Sequence, residues 1–102
     1  MPYLTQILLP LYDNEGRRFS SEHYSEVHSE LMHRFGGLTA YTRAPAEGSW
    51  KTGSVHKRDD IVIVEIMTET LDRDWWRRYR EKLETVFRQD EIVIRAQSYE
   101  PL

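Results

Sequence analysis

Residues 61–69 read IVIVEIMTE, an almost unbroken apolar run with one carboxylate, and this run decides the fold. Its length and β-branched residues favour a strand, and its continuous apolar character is typical of a strand covered on both faces. Alternation separates two faces, with Val62, Val64 and Ile66 on one and Ile61, Ile63, Glu65 and Met67 on the other. We therefore expect a central strand that presents Glu65 on its second face.

The residues before this strand predict a strand, a helix and a second strand. Residues 3–12 are rich in β-prone side chains and are followed by turn-forming residues. Ser20 is placed to cap a helix that Gly36 ends. Residues 38–44 alternate and stop at Pro45, as expected of a strand. Residues 45–60 contain two glycines, a proline and no periodicity, so they are predicted to form a long hairpin loop.

The residues after the central strand predict one more helix and one more strand. Asp72 is placed to cap the helix. Its apolar stripe consists of Trp76, Tyr79, Leu83, Val86 and Phe87. Residues 91–99, EIVIRAQSY, have the composition of the last strand.

The order β-α-β-β-α-β predicts one α+β domain over residues 1–102, with a four-stranded antiparallel sheet of the ferredoxin-like type. Right-handed crossovers place both helices on one face of this sheet. The open face then carries Tyr41, Arg43, Glu65 and Arg95 among aliphatic side chains. A monomer would expose this mixed surface, so we expect a homodimer in which two sheets stack face to face. Glu65 belongs either to an intersubunit ion-pair network with these arginines or to a catalytic site.

The composition excludes several classes of function. A chain of 102 residues with net charge −3 lacks the positive field that gathers phosphate backbones or anionic lipid, so neither nucleic acid nor a membrane is the expected partner. The absence of cysteine excludes disulfides, thiolate nucleophiles and cysteine-ligated metals. The apolar start is too short to span a bilayer. We expect a soluble, cytoplasmic protein.

Three of the four histidines, His23, His28 and His33, lie at intervals of five in the first helix. Positions five apart differ by about 140° around a helix, so the rings point in different directions and predict no metal site. His23 and His33 are expected to be exposed. His28 shares the apolar sector with Tyr24 and Met32. It is either a structural imidazole at the edge of the core or a pocket acid/base, with Tyr24 as hydrogen-bond donor to an oxyanion.

Aromatic residues make up 12% of the chain and suggest either a lined cavity or a second interface. Trp50, in the predicted loop, either closes over a ligand or anchors the loop against its own domain or the other subunit. We expect Trp50, Trp76 and Met32 to line a ligand pocket between the helices and the sheet. Arginines interleave with aromatic residues in 73–82, but Trp76 and Tyr79 belong to the buried stripe, so this run does not predict RNA binding.

The element order, the doubly apolar strand 61–69 and the long loop 45–60 resemble the dimeric α/β-barrel superfamily, in which two ferredoxin-like subunits stack sheet to sheet. The resemblance is topological and spans residues 3–99. It implies a homodimer, and the superfamily includes cofactor-independent monooxygenases and isomerases, but membership narrows the function very little. With the expected pocket residues, our preferred hypothesis is a homodimer that binds a small planar organic molecule and acts on it without a cofactor. The alternative is a noncatalytic ligand-sensing or protein-interaction module with a filled core. The superfamily also includes haem enzymes, but no haem-attachment motif is present and no cofactor is predicted.

Overall fold

A computed structural model describes residues 1–43 and 61–102, without the side chains of Thr42 and Arg43. Its elements are β1 Tyr3–Pro10, α1 Ser21–Phe35, β2 Thr39–Arg43, β3 Ile61–Thr68, α2 Arg73–Val86 and β4 Val93–Ser98. The predicted α+β class, with two helices and a four-stranded antiparallel sheet, is confirmed. The predicted loop 45–60 and its Trp50 lie outside the described residues.

The strands are arranged in the order β2-β3-β1-β4, with every neighbouring pair antiparallel. β1 and β3 form the centre and pair over their full length, from Tyr3 opposite Thr68 to Pro10 opposite Ile61. β2 and β4 are the edge strands. This arrangement is compatible with a ferredoxin-like domain.

The hydrophobic core lies between the sheet and both helices. Its buried members include Ile7, Leu9, Val27, Leu31, Val64, Ile66, Trp76, Tyr79 and Leu83. Because side chains alternate along a strand, the packing of Val64 and Ile66 beneath the helices directs Glu65 and Met67 to the other face. The two helices therefore cover one face of the sheet, and the two sets of residues in β3 separate as predicted. Neither helix in the described part of the chain has the length and apolar character needed to cross a bilayer.

The two helices begin differently. The Asp72 side chain accepts a hydrogen bond from the Trp75 backbone N–H at 3.1 Å, which confirms the predicted cap of α2. Ser20 occupies the N-cap position of α1, but its hydroxyl lies 3.0 Å from His23 Nδ1 and caps no backbone N–H. The predicted side-chain cap is therefore wrong, because the Ser20 hydroxyl bonds to the His23 imidazole instead of to a backbone N–H group. α1 ends at Gly36, whose φ of 78° is left-handed and favours glycine.

A row of hydrogen-bonded polar side chains crosses the open face of the sheet. Gln6 lies opposite Glu65 on one side and opposite Arg95 on the other. Gln6 Nε2 donates to Glu65 Oε2 at 2.8 Å, and Arg95 Nε donates to Gln6 Oε1 at 2.8 Å. An amide thus separates the carboxylate from the guanidinium. The backbone register places Arg43 opposite Ile61, away from this row, and its side chain lies outside the description.

Candidate functional site

A cleft of about 460 Å³ lies between α1 and the β2–β3 side of the sheet. The strands and Leu38 contribute apolar side chains, which are Leu9, Leu38, Ala40, Val62 and Val64. α1 contributes Ser21, Tyr24, Ser25, Val27, His28 and Ser29. A mostly apolar concavity of this volume, with a few polar groups along one wall, is suited to a small organic ligand.

Small side chains on both walls produce the cleft. Ser21, Ser25 and Ser29 recur every fourth residue and therefore form a strip along one flank of α1. The Ser25 hydroxyl donates to the Ser21 carbonyl at 3.0 Å, so this serine is satisfied within the helix. Ala40 of β2 faces the strip and is exposed. The strip lies beside the predicted apolar stripe, and its spacing is the sequence signal that our sequence analysis missed.

Tyr24 is half-buried in the wall of the cleft. Its hydroxyl donates to the Pro10 carbonyl oxygen at 2.6 Å. Burial raises the pKa of Tyr24, against an opposing effect of the Arg18 charge, so the phenol remains protonated near neutral pH. Because its single proton is already donated to Pro10, a ligand in the cleft meets the Tyr24 oxygen as an acceptor. The predicted role as a donor to an oxyanion requires Tyr24 to release Pro10.

His28 lies one helical turn after Tyr24 and also lines the cleft. The imidazole is exposed, and within the described residues it makes no side-chain hydrogen bond. No described side chain therefore competes with a ligand for its ring nitrogens. A neutral imidazole in this position can accept a proton from a hydroxyl or an acidic C–H group of a bound molecule.

The other two histidines of α1 lie away from the cleft. His23 is half-buried, with its ring centroid 5.2 Å from Phe19 and 5.4 Å from Phe87. The expectation that His23 is exposed is wrong, because these two rings cover it. His33 is exposed, as predicted. Among residues 1–43 and 61–102, no group of three histidine or carboxylate side chains is arranged to hold a metal ion.

The predicted ligand-binding residues Trp76 and Met32 are not brought to this cleft. Trp76 is buried and stacks on Phe35 with 5.2 Å between ring centroids and 4° between ring planes. Trp75 packs edge-on against Trp76 at 4.9 Å. Met32 is exposed, one turn beyond the last residue of α1 that lines the cleft. The aromatic packing fills the space between the helices, which leaves the cleft at their outer flank.

Comparison of the chain with protein-family models, with curated proteins and with solved structures found no match. Function is therefore inferred from the cleft itself. The described residues bring His28 and Tyr24 together with an aliphatic floor. This arrangement can hold a small, flat molecule against the sheet and place a proton acceptor beside it.

Proposed function

We propose that the protein is a homodimer that binds a small planar organic molecule in the α1 cleft and transfers a proton to or from it with His28. The observation that carries the proposal is the cleft of about 460 Å³, with an apolar floor and with His28 and Tyr24 one turn apart on its wall. Trp50 remains a proposed lid residue outside the described part of the chain.

The shape and polarity of the cleft favour a flat, largely apolar ligand. Leu9, Val62 and Val64 offer an aliphatic floor, and polar groups are confined to the α1 wall. A phenol or an enolisable ketone matches this division, since its ring packs on the floor while its polar edge faces His28. Proton transfer at that edge requires only a base and an acceptor or donor nearby, which is the chemistry of a cofactor-independent isomerase or the first step of a cofactor-independent monooxygenase.

The homodimer is supported by apolar side chains on the open face of the sheet. Met67 is 65% exposed, Val93 44% and Tyr41 38%, and all three lie on the same face as Glu65 and Arg95. Stacking two sheets about a two-fold axis covers these side chains, as in the dimeric α/β-barrel arrangement. The α1 cleft lies on the other face of the sheet, so ligand binding and dimerisation occupy separate surfaces.

Ligand binding is tested with a panel of phenols and aryl ketones titrated into ¹⁵N-labelled protein. We expect shift changes confined to α1 residues 21–29 and to the facing strand residues, with loss of binding in Ala40→Phe, which fills the cleft. Unchanged binding in Ala40→Phe would place the ligand elsewhere and refute the proposed site.

Catalysis is tested by deuterium exchange at the acidic C–H group of a bound aryl ketone in D₂O. His28→Ala should abolish exchange above the solvent rate, whereas His33→Ala, on the same helix but outside the cleft, should leave it unchanged. Binding without His28-dependent exchange would favour the noncatalytic ligand-sensing module, because the cleft would then hold the ketone without acting on it.

Sedimentation tests the dimer independently of the ligand. The wild-type chain should sediment at twice its 12.2 kDa mass at micromolar concentration. Val93→Asp on the open face should yield the monomer, whereas Thr85→Asp on the exposed side of α2 should not. A wild-type species of 12.2 kDa would reject the homodimer and leave the cleft proposal standing.

A further inference from the structure

A second depression, of about 240 Å³, lies at the opposite flank of the helix layer. It is bounded by α2 and by the β1–β4 side of the sheet, whereas the α1 cleft adjoins β2 and β3. Trp76 contributes an aromatic wall, and Thr5, Arg73, Arg77 and Arg80 contribute the polar groups. We name these five residues the arginine pocket.

The three arginines of α2 lie on one face of the helix. Arg73, Arg77 and Arg80 are spaced i, i+4 and i+7, so successive turns bring their side chains to the same flank. Arg95 also borders the depression, but its Nε donates to Gln6 on the other face of the sheet. No carboxylate is among the described residues that line the depression. Positive charge is therefore concentrated here in a chain whose net charge is −3.

Nearby carboxylates neutralise this charge only in part. Asp74 Oδ1 lies 3.2 Å from Arg77 Nη1 and occupies one of the five N–H groups of that guanidinium. Glu84 Oε2 lies 4.0 Å from Arg80 Nε, beyond hydrogen-bond length. The same Glu84 oxygen instead accepts a hydrogen bond from the Ile92 backbone N–H at 3.0 Å. Donors on all three helix arginines thus remain available for an anion.

Two buried polar atoms of the arginine pocket have no hydrogen-bond partner within the described residues. One is the hydroxyl of Thr5, a residue that is 0% exposed, and the other is Nε of Arg80. Buried polar groups are normally paired, and each unpaired one calls for an explanation. Both residues border the same depression, so two unpaired donors lie beside an oxyanion that binds there.

We propose that the arginine pocket binds the phosphate group of a small phosphorylated molecule, a site independent of the α1 cleft. A guanidinium presents a planar fork of donors that matches the spacing of phosphate oxygens. Three guanidinium groups offer more donors than the two oxygens of a carboxylate can use, which favours a phosphate ligand. The volume of about 240 Å³ accommodates a phosphate group together with a small organic part beside Trp76. The overall negative charge of the chain disfavours the binding of long polyanions. We therefore assign these arginines to a small phosphate-containing ligand.

The test titrates the full chain with inorganic phosphate, phenyl phosphate and benzoate by isothermal calorimetry. Phenyl phosphate should bind more tightly than inorganic phosphate, because its ring contacts Trp76, and more tightly than benzoate. Arg77→Gln and Arg80→Gln should each weaken binding by about tenfold, since each removes a charge-assisted hydrogen bond. Arg78→Gln makes the same charge change on α2 outside the arginine pocket and should leave the affinity within about twofold of wild type.

A second variant tests the buried hydroxyl. Thr5→Val keeps the shape of the side chain and removes the unpaired O–H group, so the fold should be at least as stable in urea. Phenyl phosphate affinity should fall severalfold in this variant. The proposal is overturned if wild-type protein binds none of the phosphates at millimolar concentration, or if benzoate binds best. It is also overturned if Arg78→Gln weakens binding as much as Arg77→Gln. The same holds if Thr5→Val unfolds more easily than wild type and binds phenyl phosphate equally well.

Discussion

The two helices cover the same face of one sheet in opposite ways. α2 is held by close aromatic packing around Trp76 and by a side-chain cap at Asp72. α1 contacts the core through Val27 and Leu31 but leaves a cleft of about 460 Å³ along its outer flank, and its cap residue Ser20 bonds to a side chain instead of the backbone. Close packing of α2 therefore stabilises the fold, whereas incomplete packing of α1 leaves a space large enough for a ligand.

The outer flanks of the helices also differ in chemistry. Each flank carries one residue type at helical spacing, serines on α1 at 21, 25 and 29 and arginines on α2 at 73, 77 and 80. Each strip faces an edge strand of the sheet, at Ala40 of β2 and at Ile94 and Ala96 of β4. The same backbone arrangement therefore gives an apolar cleft with an imidazole on one side and a cationic depression on the other.

Truncating Trp76 gives the largest expected effect on this comparison. Trp76→Ala should lower the free energy of unfolding by about 3–5 kcal/mol, because it removes a buried ring that packs on three others. Leu38→Ala, at the half-buried wall of the α1 cleft, should cost about 1 kcal/mol. Urea unfolding measures both. Equal costs would mean that the α1 flank is packed as tightly as the α2 flank.

Alkaline pH distinguishes the helices through their tyrosines. Burial, with a further contribution from the negative charge of Glu30, raises the pKa of Tyr79. Below the ordinary tyrosine pKa, Tyr79 is protonated in both the folded and the unfolded chain, and the stability does not change with pH. As the pH rises further, the unfolded chain ionises first, so the folded state loses stability. The unfolding free energy should therefore fall above about pH 10, by up to about 1.4 kcal/mol per pH unit for Tyr79.

The variant Tyr79→Phe isolates the contribution of α2 to this decline. Its unfolding free energy should fall less steeply above about pH 10 than that of wild type, with the remainder due in part to Tyr24, whose pKa burial also raises. Urea unfolding at a series of pH values gives the two slopes. Parallel curves for the variant and wild type would show that Tyr79 ionises equally well in both states.

The helix caps predict a smaller asymmetry. Asp72→Ala should destabilise the protein by about 1 kcal/mol, because the Trp75 backbone N–H loses its acceptor. Ser20→Ala should cost less, since the Ser20 hydroxyl bonds to the His23 ring and no backbone donor depends on it. Chemical denaturation of the two variants tests the order, and a larger loss for Ser20→Ala would reverse it.

The sequence predicts this fold well because the patterns that determine it are local. Alternation in residues 61–69 separates the two faces of β3, and Gly36 and Asp72 mark helix ends through backbone preferences that need no tertiary information. The stripe of α2 likewise identifies Trp76 and Tyr79 as buried. The packing of this stripe keeps Trp76 out of the α1 cleft, and its indole borders a depression only at the α2 flank.

The site was harder to predict because its contacts depend on register and on distant backbone atoms. Gln6 bridges Glu65 and Arg95 only because the strand register aligns the three residues across the sheet. The Pro10 carbonyl that accepts from Tyr24 lies 14 positions away and has no side-chain signature. His28 and Tyr24 could be placed on one helix face from spacing, whereas the partners that decide their chemistry could not.

Removal of the two tyrosine hydroxyls has a small expected effect at neutral pH and tests the α1 cleft most finely. Tyr24→Phe should cost about 1 kcal/mol, because the Pro10 carbonyl loses its donor. Tyr79→Phe should be neutral or slightly stabilising, because its buried hydroxyl has no partner within the described residues. If the hydroxyl of Tyr24 serves only Pro10, the affinity for a phenol in the cleft should remain unchanged in Tyr24→Phe. A tenfold loss of affinity there would instead show that the ligand bonds to the Tyr24 hydroxyl, either as a donor to its oxygen or, after Tyr24 releases the carbonyl, as an acceptor of its proton.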